Sequence, residues 1–142
     1  MARHKDKDAY KLVSIEKVQR VLDESMQISS SIVGSRYVKR LQKEAQEMQD
    51  RLTLICDTLE QWRECQRNWL YLENIFSSPD IRRQRAEDHA DYDKINKAWT
   101  KLMKATHAKR NVRAQCTGAD AYFKEKGHYE RRRLREFLEW NK

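Results

Sequence analysis

Apolar residues recur along most of this chain in steps of three and four, the spacing of one face of an α-helix. Val38, Leu41, Ala45, Met48, Leu52, Ile55, Leu59 and Trp62 keep the spacing without a miss, and Gln66, Trp69, Glu73 and Phe76 continue the frame with two polar residues set into it. No Gly or Pro intervenes, so the pattern predicts one helix over residues 36–76, about 60 Å long at 1.5 Å per residue. An average globular helix has roughly 11 residues, which makes this one a rod or the long arm of a bundle. A shorter stripe, Ile15, Val18, Leu22 and Met26, follows Ser14, whose hydroxyl can accept a backbone N–H at a helix start. Ser29, Ser30, Ser31 and Gly34 predict its end.

Ser77-Ser78-Pro79-Asp80 predicts a stop and a restart, with Ser78 as cap, proline where no N–H is missed, and an acid at the positive dipole end. A short element with Ile81 follows. The next run, Tyr92, Ile95, Trp99, Leu102 and Thr106, predicts a third long helix. Glu87, Asp88, Asp91 and Asp93 crowd its start, and Lys101, Lys104, Lys109, Arg110 and Arg113 its far end. Thr117-Gly118 marks a break before a last helix carrying Tyr122, Phe123, Leu134, Phe137 and Leu138, with Gly127 as its weak point. Residues 1–9 begin with alternating charges that have no period and are expected to be a disordered lead. Trp62, Trp69 and Phe76 stand seven residues apart on one face, where packing against the helix of Tyr92, Ile95 and Trp99 is the expected role. The fold class is therefore all-α, an elongated helical bundle with one very long central helix.

Composition narrows the picture. The chain has 142 residues, 37% of them charged, with 3 Gly, 1 Pro and a mean hydropathy of −1.04. Gly and Pro at that level exclude turn-rich sandwiches, barrels and collagen-like chains. No stretch approaches the roughly 18 apolar residues of a membrane helix, and MARHKDKDAY holds no signal-peptide core, so an intracellular protein without a membrane partner is expected. Cys56, Cys65 and Cys116 are odd in number and widely spaced, unlike a disulfide framework or a Cys-x-x-Cys site. The net charge of +8 is uneven: residues 1–100 hold 18 basic and 17 acidic side chains, and residues 101–142 hold 12 and 5. Arg131, Arg132, Arg133 and Arg135, near Tyr129 and Trp140, could contact phosphate and bases. Leu134, Phe137 and Leu138 on the same stretch instead favour packing and argue against nucleic acid as a partner.

No catalytic chemistry emerges. Glycines at 34, 118 and 127 cannot build a P-loop, which excludes nucleotide hydrolysis. Glu87, Asp88, His89, Asp91 and Asp93 lack the His-x-x-x-His spacing or calcium-loop glycine of a metal site and suit an acidic helix start. His4, His107 and His128 have no carboxylate or cysteine at triad-like spacing. No catalytic residue, metal ligand or cofactor is assigned.

Trp62, Gln66, Trp69, Tyr71, Leu72, Glu73, Ile75, Phe76, Ser78, Asp80, Ile81 and Gln84 spell W-x-x-x-Q-x-x-W-x-Y-L-E-x-I-F-x-S-x-D-I-x-x-Q. This closely resembles the start of the linker region of dynein heavy chains, most of all the axonemal ones. The similarity extends through Val18–Asp23 and Gly34-Ser35 on one side and Asp93–Met103 on the other. It covers roughly residues 10–110, with a weaker echo at Leu134–Glu139. The resemblance implies that residues 10–142 are a partial linker: a helical arm lying across the ring of ATPase modules and swinging as a lever in the power stroke. It adds Tyr71, Leu72 and Ile75 to Trp62, Trp69, Phe76 and Trp99 as packing residues. The implied partners are the remainder of a heavy chain with its ATPase ring and dynein intermediate or light-intermediate chains. The implied location is the cytoplasmic cytoskeleton and the axoneme of a cilium or flagellum. Asn74, and a position near Ala86, depart from the family, which usually has proline there. Two rival readings are a free-standing coiled-coil interaction protein and a basic nucleic-acid-binding helical protein.

Overall fold

The computed structural model of the protein describes residues 1–3 and 9–109. Two short strands, β1 (Ala2–Arg3) and β2 (Tyr10–Lys11), precede four α-helices: α1 (Ile15–Val33), α2 (Gln42–Phe76), α3 (Pro79–Gln84) and α4 (Ala86–Ala108). A 3-10 turn at Lys39–Leu41 leads into α2. The described chain is nearly all-α, and α2, with 35 residues, is its axis. At 1.5 Å per residue α2 is about 52 Å long.

The other helices divide α2 between them. α1 runs back antiparallel to its N-terminal half, where Gln49 Nε2 donates to Ser30 Oγ at 3.0 Å. α4 runs antiparallel along the C-terminal half, so that Phe76, Trp69 and Trp62 meet Tyr92, Trp99 and Met103 in turn. The core lies in this second half: among the described residues Trp62, Trp69, Leu72, Phe76, Tyr92, Trp99 and Met103 form one buried cluster with Ala9. Every buried residue of α2 lies at or beyond Thr58.

The boundary at Phe76 has a local cause. The backbone of Ser78 is extended and Pro79 opens α3, while Arg82 Nε donates to the Phe76 carbonyl at 2.8 Å, satisfying an oxygen the ending helix leaves open. Asn74 leaves the helix bonding intact, and at its end the Ser77 N–H donates to Glu73 O at 3.0 Å.

The structure departs from the sequence reading at several places: the long helix begins at Gln42, behind the 3-10 turn, and not at residue 36. Ala2 and Arg3 pair antiparallel with Lys11 and Tyr10, and Ala9 is buried, so the lead is partly ordered. Ser14 makes no side-chain cap bond and instead adopts φ 56°, a left-handed turn into α1. α1 also runs on through Ser29–Ser31, because Ser29 faces α2 and is buried there, while Val18, assigned to the stripe, is 50% exposed. The expected last helix and the basic run at Arg131–Arg135 lie outside the described residues.

Candidate functional site

The densest constellation of the described residues is an aromatic spine between α2 and α4. Trp69 and Trp99 stack with ring centroids 5.4 Å apart, and Phe76 stacks on Tyr92 at 5.1 Å. His89 meets the edge of Phe76 at 5.8 Å. Polar tips are tied down as well: Trp69 Nε1 donates to Asn96 Oδ1 at 3.0 Å, and Trp62 Nε1 points at Met103 Sδ at 3.2 Å. Trp62, Trp69, Phe76 and Trp99 are each almost fully buried. Leu72 is buried with them, and Ile75 is half-buried against the cluster. Tyr71 stands apart: two residues from Trp69 is about 200° around a helix, and its ring is 43% exposed on the outer face.

Gln66 fastens the N-terminal ribbon to this spine. Its Oε1 accepts the Leu12 N–H at 2.6 Å and its Nε2 donates to the Leu12 carbonyl at 3.0 Å, a two-point grip on the backbone of one residue. Beside it Tyr10 stacks flat on His107 at 4.1 Å, joining β2 to the end of α4. The sequence frame contained Gln66 and Glu73 as polar interruptions, and both are buried. Asn96 and Met103 left no comparable signal, because their roles depend on which Trp rings face them across the helix pair.

The acidic start of α4 is neutralised locally. Arg85 pairs with Asp88 at 3.0 Å, Lys94 with Asp91 at 3.0 Å, and His89 Nδ1 approaches Asp93 at 3.4 Å. Among the described residues no group of three or more His, Cys, Asp or Glu is placed to hold a metal, and no helix is long and apolar enough to cross a membrane. Tyr92 and Cys56 are displaced from their ordinary values. Tyr92 is pushed up to about 12, first by burial and then by Glu73 and Asp93, with Arg82 opposing. Burial, followed by Asp23, Asp57 and Glu60, raises the Cys56 thiol, which favours its protonated form.

The arrangement packs α2 against α4 through aromatic rings. Residues 1–138 match the family described as dynein heavy chain, N-terminal region 2. This chain belongs to the dynein heavy chain family. Its relatives include human dynein axonemal heavy chain 6, 37% identical over 110 residues, which is 77% of this chain and 3% of that protein. Rat dynein axonemal heavy chain 1 is 35% identical over 114 residues, 80% of this chain and 2% of the relative. Human dynein axonemal heavy chain 1 is 33% identical over the same number. The chain thus spans a few per cent of the length of the dynein heavy chains it matches. No solved structure matches it.

Proposed function

We propose that this chain is the N-terminal portion of a dynein linker, a non-catalytic mechanical element that transmits movement over the ATPase ring of a microtubule motor. The observation that carries this reading is the spine: a 35-residue helix without Gly or Pro, clamped to a second long helix by interlocked aromatic rings. A lever must resist bending, and close-packed interiors have low compressibility and transmit strain. Membership of the family, through the region described as N-terminal region 2 of far longer heavy chains, supports the same role. The partners in this reading are the remainder of a heavy chain and the intermediate or light-intermediate chains, and the setting is the axoneme.

A chimaera tests it. Residues 10–109 replace the matching segment of an axonemal heavy chain, and ATPase rate and microtubule gliding are measured on the same preparation. Gliding near the parental velocity is expected. A chimaera that hydrolyses ATP but moves microtubules no better than a motor lacking the segment would sink the linker reading.

A further inference from the structure

One side of the α1–α2 hairpin exposes a run of apolar residues. Val21 and Ile28 each stand one residue before a residue that α1 buries, Leu22 and Ser29, and Met48 stands one before Gln49, which bonds across to Ser30. One residue is 100° around a helix, and because the two helices run antiparallel, that turn carries all three side chains to the same side of the hairpin. Ile28, Ile32, Ala45, Met48 and Leu52 line a shallow groove of about 310 Å³ there. Val18, Val21, Ile28, Ile32 and Met48 are between 48% and 63% exposed. A contiguous apolar strip of this kind marks a surface that another element covers.

We propose that the occupant is a second copy of this chain, packed face to face about a two-fold axis parallel to the helices, so that two hairpins form a four-helix bundle. Charge, area and register each favour it. Residues 15–60 hold eight acidic and seven basic side chains, so the hairpins meet without a like-charge field. The rim of the strip is balanced too: Lys17 and Glu24 on α1, and Glu44 and Arg51 on α2, stand about 40° to 60° beyond it. An unfolded chain exposes about 1.45 Å² per dalton, or about 160 Å² for a residue of this size, so the five residues leave about 440 Å² uncovered on each copy. Homodimer interfaces are about 65% apolar, so covering the strip on both copies corresponds to about 1,350 Å² in all, inside the roughly 1,200 to 2,000 Å² of stable interfaces. Register follows from Ser30 lying level with Gln49. The axis sets α1 of each copy over α2 of the other at those same levels. Ile28 of one copy then falls between Met48 and Leu52 of the other, and Ile32 between Ala45 and Met48, the knob-into-hole alternation of bundled helices. Glu24 comes within about 6 Å, measured along the axis, of the other copy's Arg51. Within one copy Arg51 pairs with Glu47 at 3.7 Å, both half-exposed, and such a pair is worth too little to oppose the exchange.

Sedimentation equilibrium of the full 142-residue chain tests the pairing, independently of the linker role. A monomer–dimer equilibrium with a dissociation constant at or below about 100 μM is expected for an interface of this size. Ile28→Asp with Met48→Asp should leave a monomer that keeps the parent's helical circular dichroism. Glu24→Arg sets arginine against arginine at both symmetric positions and should weaken the dimer about tenfold. Adding Arg51→Glu should restore it, an outcome that misfolding would not give. A parent that stays monomeric at about 100 μM, a dimer that survives Ile28→Asp with Met48→Asp, or a weakening that Arg51→Glu does not rescue overturns the proposal.

Discussion

Trp69 combines three contacts in one side chain: burial to 2% exposure, a stack on Trp99 and a hydrogen bond to Asn96. Trp69→Ala should therefore lower unfolding free energy by about 3 to 5 kcal/mol, the range for emptying a large aromatic site. Denaturant midpoints with an unchanged slope would measure it, and a loss under about 1 kcal/mol would contradict the close packing of the spine. Tyr92 sets an alkaline limit. Its pKa is higher folded, at about 12, than the usual 10, so the folded state holds the proton more tightly. The resulting stability is complete below pH 10 and is lost as the pH rises through 12. Urea midpoints should fall over that interval, and Tyr92→Phe should flatten the fall; an equal decline in both proteins would remove Tyr92 as its source.

The elements were legible to different degrees, for physical reasons. α2 and α4 impose a period of three to four over many turns, and the proline restart at residue 79 is a local rule that tertiary packing had no cause to override. The spacing of Trp62, Trp69 and Phe76 likewise fixed a shared face, but not the identity of Asn96 or Met103 opposite it. The two-residue strands are too short to leave any period, and Leu12, which follows them, is held by Gln66, 54 positions away. On α1 the spacing marks the face that buries Leu22 and Ser29, but Val18 on the same face is 50% exposed, because spacing shows which face packs and not how far along the helix the neighbour reaches. Gln66→Leu keeps roughly the volume and removes both hydrogen bonds, stranding the Leu12 N–H and carbonyl. A loss of about 1 to 3 kcal/mol is expected, with faster hydrogen exchange at Leu12 than in the parent while Trp69 fluorescence is preserved. Unchanged exchange at Leu12 would mean the grip contributes nothing.

For the whole molecule, the described fold offers interlocking rings and paired charges but no phosphate-binding loop. Purified chain should show no saturable ATP hydrolysis, and activity that survives repurification and shows saturation with ATP would refute a purely mechanical role. The place where the N-terminal ribbon is fastened has a further consequence. Gln66 holds Leu12, and with it β1 and β2, roughly 36 Å from the start of α2 and about 15 Å from its end at 1.5 Å per residue. A load introduced through Met1 therefore enters the rod off-centre, as at the pivot of an unequal balance. Equal forces at the two tips of α2 would exert torques about that pivot in the ratio of those arms, so the α1–α2 hairpin end has more than twice the mechanical advantage of the Phe76 end.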